Sequence, residues 1–156
     1  MVDKTPQFSF PLEQSTGYWL RKTHRSFARA MQQRIEPRGV TIGMWYFLRI
    51  LWEEDGLTQR ELSQRIEMME PTTATALRNM EERNLVRRVR NPTDKRKVNI
   101  YLTEEGRALR NVLLPHAKAV DAAALAGVTE ADIACFHRVL HQMRVNLGPA
   151  GDADEI

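Results

Sequence analysis

Two helix-start signals lie close together in the middle of this chain and restrict its possible folds. Thr58 and Glu61 have the spacing of a capping box, in which each side chain satisfies a free backbone N–H at the start of a helix. Pro71 suits the start of a second helix, because a proline there loses no hydrogen bond. The first helix is predicted to end at Ile66 and the second near Asn84. Two short helices with so tight a connection indicate a helix-turn-helix.

The second of these helices has an outward face of small and mostly uncharged side chains. On a helical wheel Leu77 marks the inner face, and Asn79 lies opposite with hydroxyl-bearing residues. Small side chains let a helix enter the major groove of DNA, and asparagine can pair with the hydrogen-bonding edge of adenine. An ordinary solvated helix would carry more charge on this face. The residues predicted to contact DNA are Thr72, Thr73, Thr75, Ala76, Arg78, Asn79 and Arg83, with the two arginines placed for phosphates.

A charged hairpin is predicted directly after this helix. The segments LVRRVR and VNIYL flank a loop that contains Asp94, Lys95, Arg96 and Lys97. Residues 83–97 carry seven basic side chains and one acidic side chain, in a chain whose net charge is only +3. A local basic patch favours a polyanion as partner, although charged hairpin tips also occur as solvated turns. We expect Arg96 to enter the minor groove while Lys95 and Lys97 neutralise phosphates. Asp94 would orient Arg96 or a nearby arginine of the helix.

The stretch from LTQRELSQRI through TTATALRNMEERNLVRRVRNPTDKRKVNIYLTEEGRAL resembles the MarR (multiple antibiotic resistance regulator) family of winged-helix repressors. The resemblance covers about residues 57–109, and the wing sequence Asp94-Lys95-Arg96 followed by a strand and LTEEG is its specific part. It implies a homodimer on a palindromic operator, with dimerisation through the N-terminal helix and two C-terminal helices. It also implies a small-molecule pocket between the dimerisation and DNA-binding parts. Asn84 stands where many members have glycine, and asparagine tolerates the same left-handed turn.

The remaining segments predict a mainly α fold, in which a winged helix-turn-helix with a small β-hairpin is joined to a helical dimerisation region. The predicted regions are an N-terminal arm at 1–11, a dimerisation helix at 12–40, the winged helix-turn-helix at 41–103, C-terminal dimerisation helices at 104–147 and a disordered tail at 148–156. The last helix repeats apolar residues at spacings of three and four, as in a seam for another helix. The seam is Ile133, Phe136, Leu140, Met143 and Leu147. Burying it requires a partner chain, so we expect a homodimer.

Aromatic and basic side chains are concentrated in the first two long helices, within GYWLRKTH and MWYFLR. Aromatic walls with a cation would suit a small aromatic acid, which is the class of effector that the family resemblance suggests. The same aromatic residues, at helical spacing, could instead belong to the core. The candidate ligand-binding residues are Tyr18, Trp19, His24, Trp45, Tyr46 and Arg49.

Three alternatives remain open at this stage. Cys135 could make the protein a redox-responsive regulator of the same fold, although buried thiols are usually inert. His137 and His141 lie one helical turn apart and could hold zinc, but the sequence offers no third or fourth ligand at a suitable spacing. A winged helix that binds a protein instead of DNA is the third alternative, and it would not need the basic wing.

Other classes of protein are not indicated by the sequence. It contains no glycine-rich phosphate loop, nucleophile elbow or metal-ligand pattern, so we expect no enzyme activity, catalytic residue, metal or cofactor. The apolar runs are short and interrupted by charges, so we expect no membrane segment. The N-terminus lacks the pattern of a secretory signal, and a single cysteine fits a reducing compartment. We therefore expect a cytoplasmic protein.

Overall fold

The computed structural model describes residues 8–148, which form six α-helices and one β-hairpin. The strands pair antiparallel, with Val86 opposite Leu102 and Arg90 opposite Val98. The predicted mainly α fold with a hairpin wing is confirmed. The elements are α1 (Thr16–Ile35), α2 (Ile42–Glu53), α3 (Gln59–Ile66), α4 (Glu70–Glu82), β1 (Val86–Arg90), β2 (Val98–Leu102), α5 (Glu104–Ala124) and α6 (Glu130–Leu147).

Four of the six helices begin directly after a threonine, including the one that starts at the predicted capping box. Each threonine hydroxyl accepts a hydrogen bond from a backbone N–H in the first turn, which satisfies a group that the helix itself leaves unpaired. The capping box between Thr58 and Glu61 is present with both of its reciprocal hydrogen bonds. The other three capping residues are Thr41, Thr103 and Thr129.

Two helix boundaries differ from the prediction by a few residues. The first helix was expected from residue 12, but Leu12–Gln14 forms a separate 3₁₀ turn. The long helix α1 begins only after Ser15, whose hydroxyl accepts from the backbone N–H of Tyr18 at 3.3 Å. Helix α4 ends at Glu82, because Asn84 adopts a left-handed conformation with φ of 56°. Asparagine therefore makes the left-handed turn that the resemblance led us to expect at this position.

The hydrophobic core lies where α2 packs against the other helices and the hairpin. Helix α2 is apolar nearly all round, and six of its residues are buried: Met44, Trp45, Phe47, Leu48, Leu51 and Trp52. Leu62 of α3, Leu77 of α4 and Ile100 of β2 are all fully buried in the same cluster. The helix-turn-helix and the wing therefore rest on one common core.

The start of α5 lies tightly against the hairpin. A Cβ atom added at Gly106 would lie 2.1 Å from the carbonyl oxygen of Leu85, so no larger residue fits without a shift of the backbone. The indole Nε1 of Trp52 donates to the carbonyl oxygen of Gly106 at 2.8 Å. These contacts fix α5 relative to α2 and β1.

Helix α6 buries none of its residues within the single chain. Phe136 of the predicted seam is 48% exposed and Leu147 is 76% exposed, and Phe8 before α1 is 91% exposed. Most of the predicted arm and tail lies outside the described residues, at 1–7 and 149–156. Within residues 8–148, none of the helices has the length and apolar character needed to cross a membrane.

Candidate nucleic-acid interface

The outward face of α4 presents the small polar side chains that the sequence predicted there. Thr72, Thr75, Arg78 and Asn79 are exposed, and Ala76 is half-buried. The Thr75 hydroxyl donates to the carbonyl oxygen of Pro71 at 3.1 Å, so it offers an approaching base its lone pairs and its methyl group. A face of this kind allows close approach of the helix backbone to a base edge.

Thr73 does not belong to this outward face, and its prediction as a DNA contact is wrong. Its side chain is fully buried, on the same side of α4 as Leu77 and Met80. The spacing of four and three residues places all three side chains on the core face. The Thr73 hydroxyl has no hydrogen-bond partner within the described part of the chain.

Arg83, at the end of α4, makes a structural contact that the sequence did not suggest. Its guanidinium donates to the carbonyl oxygen of Gly39, in the turn that follows α1. Gly39 has φ of 72° and ends the 3₁₀ turn at Glu36–Arg38. The arginine is exposed, but this hydrogen bond ties the end of α4 to the turn before α2.

The tip of the wing has an internal ion pair between Asp94 and Arg96. The Nε atom of Arg96 lies 3.1 Å from Oδ1 of Asp94, and the backbone N–H of Arg96 donates to the same oxygen at 3.1 Å. The Arg96 side chain is 92% exposed, and Lys95 and Lys97 beside it are also exposed. Two roles were considered for Asp94, and in the structure its carboxylate binds Arg96 and not an arginine of the helix. Hydrogen bonds from the Arg96 side chain hold the pKa of Asp94 below its ordinary value.

Other arginines of the hairpin also make contacts within the chain. The Nε atom of Arg88 donates to the Glu81 carboxylate at 2.9 Å, and this contact lowers the pKa of Glu81. The Arg87 guanidinium lies over the ring of Tyr101, 5.4 Å from its centroid. The basic patch is therefore braced against α4 and β2, which reduces the side-chain entropy to be lost when a polyanion binds.

A cavity of about 720 Å³ lies between α1, α2 and α5. Four of the six predicted ligand-binding residues line it, namely His24, Trp45, Tyr46 and Arg49. Trp19 lines a different cavity of about 530 Å³ between α1 and α5. Tyr18 lines neither of the two and contacts Trp19 edge to face instead.

The walls of the larger cavity combine aromatic rings with charged groups. Arg49 lies over the ring of Trp45 at 5.9 Å and pairs with Glu53 at 3.3 Å. The rings of His24 and Tyr46 stack with centroids 6.3 Å apart. Burial raises the pKa of Tyr46, so its phenol keeps its proton and can act as a hydrogen-bond donor at neutral pH.

Sequence reasoning missed the third wall of this cavity, which is formed by α5. Leu114, Ala117, Lys118 and Asp121 line it from that side. Their spacing of three, four and seven residues marks one face of a helix, so a shared face was readable from the sequence. Which other helix that face meets was not, because local periodicity does not specify the partner.

The side chains considered for redox or metal sensing lie on α6. Cys135 is an exposed free thiol in the single chain, although the sequence suggested a packed helix. His137 and His141 are exposed as well. Within residues 8–148, no group of three histidine, cysteine, aspartate or glutamate side chains is placed to hold a metal ion.

Comparison with known proteins shows which family this architecture resembles. The model of the MarR family matches residues 40–98, which run from two residues before α2 to the first residue of β2. The HTH-type transcriptional regulator TtmR of Methylorubrum extorquens (strain PA1) is 34% identical over 93 residues. The segment at 40–98 is therefore similar to the MarR family. That alignment covers 58% of this chain and 48% of TtmR, so the chain spans about half the length of this relative.

Solved MarR structures share the fold over most of the chain. A MarR transcriptional regulator from Methanosarcina mazei Go1 superposes with a TM-score of 0.77 and 26% identity, over 83% of this chain and 94% of that one. The MepR–DNA complex from S. aureus gives a TM-score of 0.77 and 24% identity, over 83% of this chain and 96% of that one. The segment that matches the family model, 40–98, contains α4 and the wing loop, whereas α1 and α5 of the cavity lie outside it.

Proposed function

We propose that this protein is a homodimeric, DNA-binding transcriptional regulator that represses by binding a palindromic operator and is released by a small aromatic acid. The observation that carries the proposal is the exposed Thr and Asn face of α4 beside an arginine-tipped wing. The MarR-family match over 40–98 includes both elements. The MepR structure, which was solved as a complex with DNA, provides a fold-level precedent.

Each copy reads DNA with two elements. Helix α4 enters the major groove, where Asn79 pairs with adenine and the Thr72 and Thr75 methyl groups contact thymine methyls. The wing reaches the adjacent minor groove, into which Arg96 inserts where the groove is narrow and strongly negative. Asp94 holds this guanidinium in place before DNA arrives, which lowers the ordering cost of binding.

The second copy supplies the surface that α6 lacks within one chain. Phe136 and Leu147 on α6 and Phe8 before α1 are exposed apolar residues, and a symmetric partner would bury them. A two-fold axis then presents two copies of α4 about 34 Å apart, one turn of DNA. A palindromic operator matches this symmetry.

The effector would occupy the cavity between α1, α2 and α5. His24, Arg49 and Lys118 are basic, and Glu53 and Asp121 are acidic, with Arg49 and Glu53 already paired to each other. Lys118 and His24 are therefore the candidates for a carboxylate, and the rings of Trp45 and Tyr46 for an aromatic group. A ligand bound between these helices changes the distance between the two copies of α4, provided that it binds one arrangement of the helices more tightly than the other.

Affinity measured against salt concentration tests the DNA-binding proposal. The probe is a duplex that carries the DNA immediately upstream of this protein's own coding sequence. Contacts to phosphates release counterions, so we expect the logarithm of affinity to fall linearly and steeply with the logarithm of salt concentration. A flat response, or no binding at low salt, would contradict the proposal and favour a protein partner.

A screen of small aromatic acids against the preformed complex tests the effector proposal. We expect at least one such acid to release the protein from the duplex. In Lys118→Ala that acid should act only at higher concentration, because the variant lacks one cation of the cavity. Arg138→Ala, which removes a cation from α6 outside the cavity, is the matched control and should respond like the wild type. Equal sensitivity in both variants would exclude Lys118 from the site.

A further inference from the structure

The wing loop is held by a chain of side-chain hydrogen bonds that begins far from its tip. Oδ1 of Asn91 accepts from the backbone N–H of Thr93 at 3.0 Å, from the Thr93 hydroxyl at 2.8 Å and from the backbone N–H of Asp94 at 3.0 Å. The same side chain donates from Nδ2 to Oδ1 of Asn99 at 2.9 Å. Asn99 in turn donates to the carbonyl oxygen of Gly56 at 2.7 Å.

Gly56, where this series of hydrogen bonds ends, has a strongly restrained position. Its N–H donates to the carbonyl oxygen of Ile100 at 2.9 Å, and its φ is 80°. A Cβ atom here would lie 2.6 Å from the ring of Tyr101, so the backbone passes directly beside β2. The turn after α2 and the fully buried Ile100 therefore share one rigid unit.

The amide groups of Asn91 and Asn99 can form these hydrogen bonds in only one orientation each. Asn91 turns its oxygen towards three donors and its nitrogen towards an oxygen, and Asn99 likewise donates to a carbonyl. Reversing either amide would place a nitrogen against an N–H donor or an oxygen against an oxygen. The network is thus internally consistent.

We propose that Asn91 and Asn99 are positioning residues for Arg96, acting through a hydrogen-bonded chain from Gly56 to Asp94 that holds the arginine ready for DNA. This inference rests on the proposed DNA-binding function. Arg96 is bound by Asp94, and the backbone of Asp94 is bound by Asn91. Two backbone hydrogen bonds also hold this loop, from Asn91 N–H to the Lys97 carbonyl and from Lys97 N–H to the Asp94 carbonyl. Without the side-chain hydrogen bonds, the remaining conformational entropy of 91–97 would be lost only when DNA binds, and the affinity for DNA would be lower.

The first test measures affinity for the upstream duplex in Asn99→Ala. We expect a loss of about three- to tenfold, the range for removing one effective hydrogen bond. Asn111→Ala is the matched control, since Asn111 is an exposed asparagine on α5, and it should bind like the wild type. A wild-type affinity in Asn99→Ala would overturn the proposal.

A double-variant cycle separates positioning of Arg96 from a general weakening of the fold. If Asn99 acts through the arginine, Asn99→Ala should cost less than about twofold once Arg96→Ala is already present. A further loss as large as that in the wild-type background would mean that Asn99 acts by another route, which contradicts the proposal.

Amide hydrogen exchange in the free protein tests the chain without any DNA. In Asn91→Ala the N–H groups of Thr93 and Asp94 should exchange about three- to tenfold faster than in the wild type, because they lose their acceptor. In Asn91→Asp, which keeps an acceptor oxygen, their exchange should be close to that of the wild type. The N–H of Ile100 serves as an internal reference in both variants.

The two kinds of measurement distinguish the failure of this inference from failure of the proposed function. Unchanged exchange in Asn91→Ala would overturn the positioning chain even if the protein binds DNA. A wild type that ignores the duplex at low salt, together with the expected change in exchange, would defeat the DNA-binding function and leave the hydrogen-bonded chain supported.

Discussion

The half that we propose faces DNA (α2 to β2, the DNA-facing half) and the half formed by α1, α5 and α6 (the helical half) differ in how completely one chain buries them. In the first half, Leu62, Leu77 and Ile100 are fully buried on the core formed by α2. In the second half, α6 buries none of its residues, and apolar side chains such as Phe136 remain in contact with solvent. One chain therefore completes the core beneath α4 and the wing, whereas its helical half leaves apolar side chains exposed.

The same contrast holds for the polar contacts. The wing is braced by side-chain hydrogen bonds and ion pairs that connect it to α4 and to the turn after α2. Helix α6 reaches the other half through Arg144, which donates to Glu67 at 2.6 Å in the turn between α3 and α4. Both of these side chains are largely exposed, so their pairing contributes little to stability. The difference indicates that the proposed DNA recognition depends on contacts within one chain, whereas the proposed distance between two copies of α4 depends on how two chains pair.

Placing charges on the exposed face of α6 should have the largest effect, and it tests whether that face needs a second chain. In Phe136→Glu combined with Leu140→Glu, we expect dimers to dissociate and affinity for the duplex to fall on the order of a hundredfold or more, because bivalent binding is lost. Sedimentation velocity and DNA titration measure the two effects. Ala134→Glu adds charge on the opposite side of α6 and should leave the dimer intact. Dimers that survive the double substitution would place the interface elsewhere.

A substitution at the start of α5 examines the half that is complete in one chain. Gly106→Ala forces a Cβ atom against the carbonyl oxygen of Leu85, and we expect the free energy of unfolding to drop by about 3 kcal/mol. Urea denaturation at a fixed protein concentration measures it. Gly43→Ala in α2 is the matched control, because a Cβ atom added there would lie 3.8 Å from Oγ1 of Thr41, an ordinary contact distance. The stability of this variant should not fall. An unaffected Gly106→Ala would mean that α5 is not fixed against the hairpin.

Removing the exposed arginine of the wing should separate binding from folding. We expect Arg96→Ala to weaken binding of the duplex by about 1–3 kcal/mol, which is typical of an arginine that contacts DNA directly. The dimer and the thermal unfolding temperature should stay close to those of the wild type, since this side chain is outside the core. Arg138→Ala on α6 provides the comparison. Equal affinities in the two variants would remove the wing from the mechanism.

The smallest expected effect is a change in the pKa of Asp94, which forms the ion pair with Arg96 at the wing tip. The native pKa of Asp94 lies below its ordinary value, so the contact with Arg96 is fully formed above that ordinary value and is lost as the pH falls through the lowered pKa. In Arg96→Ala we expect the pKa of Asp94 to rise towards its ordinary value. Carboxyl chemical shifts recorded during an acid titration measure it. An unchanged titration would mean that the pair does not persist in solution.

Local signals predicted most of the DNA-facing half. The capping box at Thr58 and Glu61 was readable from spacing alone. The pairing of Asp94 with Arg96 was one of two roles considered, and the left-handed turn at Asn84 was expected from the family resemblance. Thr73 was misplaced even though it stands one turn before Leu77, which already marked the inner face of α4. A stricter use of the helical period would have corrected that assignment.

The helical half was less predictable because its contacts join residues that are distant in sequence. The periodicity of α5 marks the face that contains Leu114 and Lys118, but only the packing of the chain brings it against α1 and α2. Trp19 and Tyr18 resembled the other aromatic candidates in sequence, yet the rotation of α1 turns them away from the larger cavity.

The stoichiometry of the complex with DNA tests the central claim most directly. Sedimentation equilibrium of the protein with the upstream duplex, at low and at moderate salt, gives the number of chains for each duplex and the dependence of affinity on salt. We expect two chains per duplex and a steep loss of affinity as salt rises. A monomer in the complex, or a protein that does not associate with the duplex at low salt, would contradict the account.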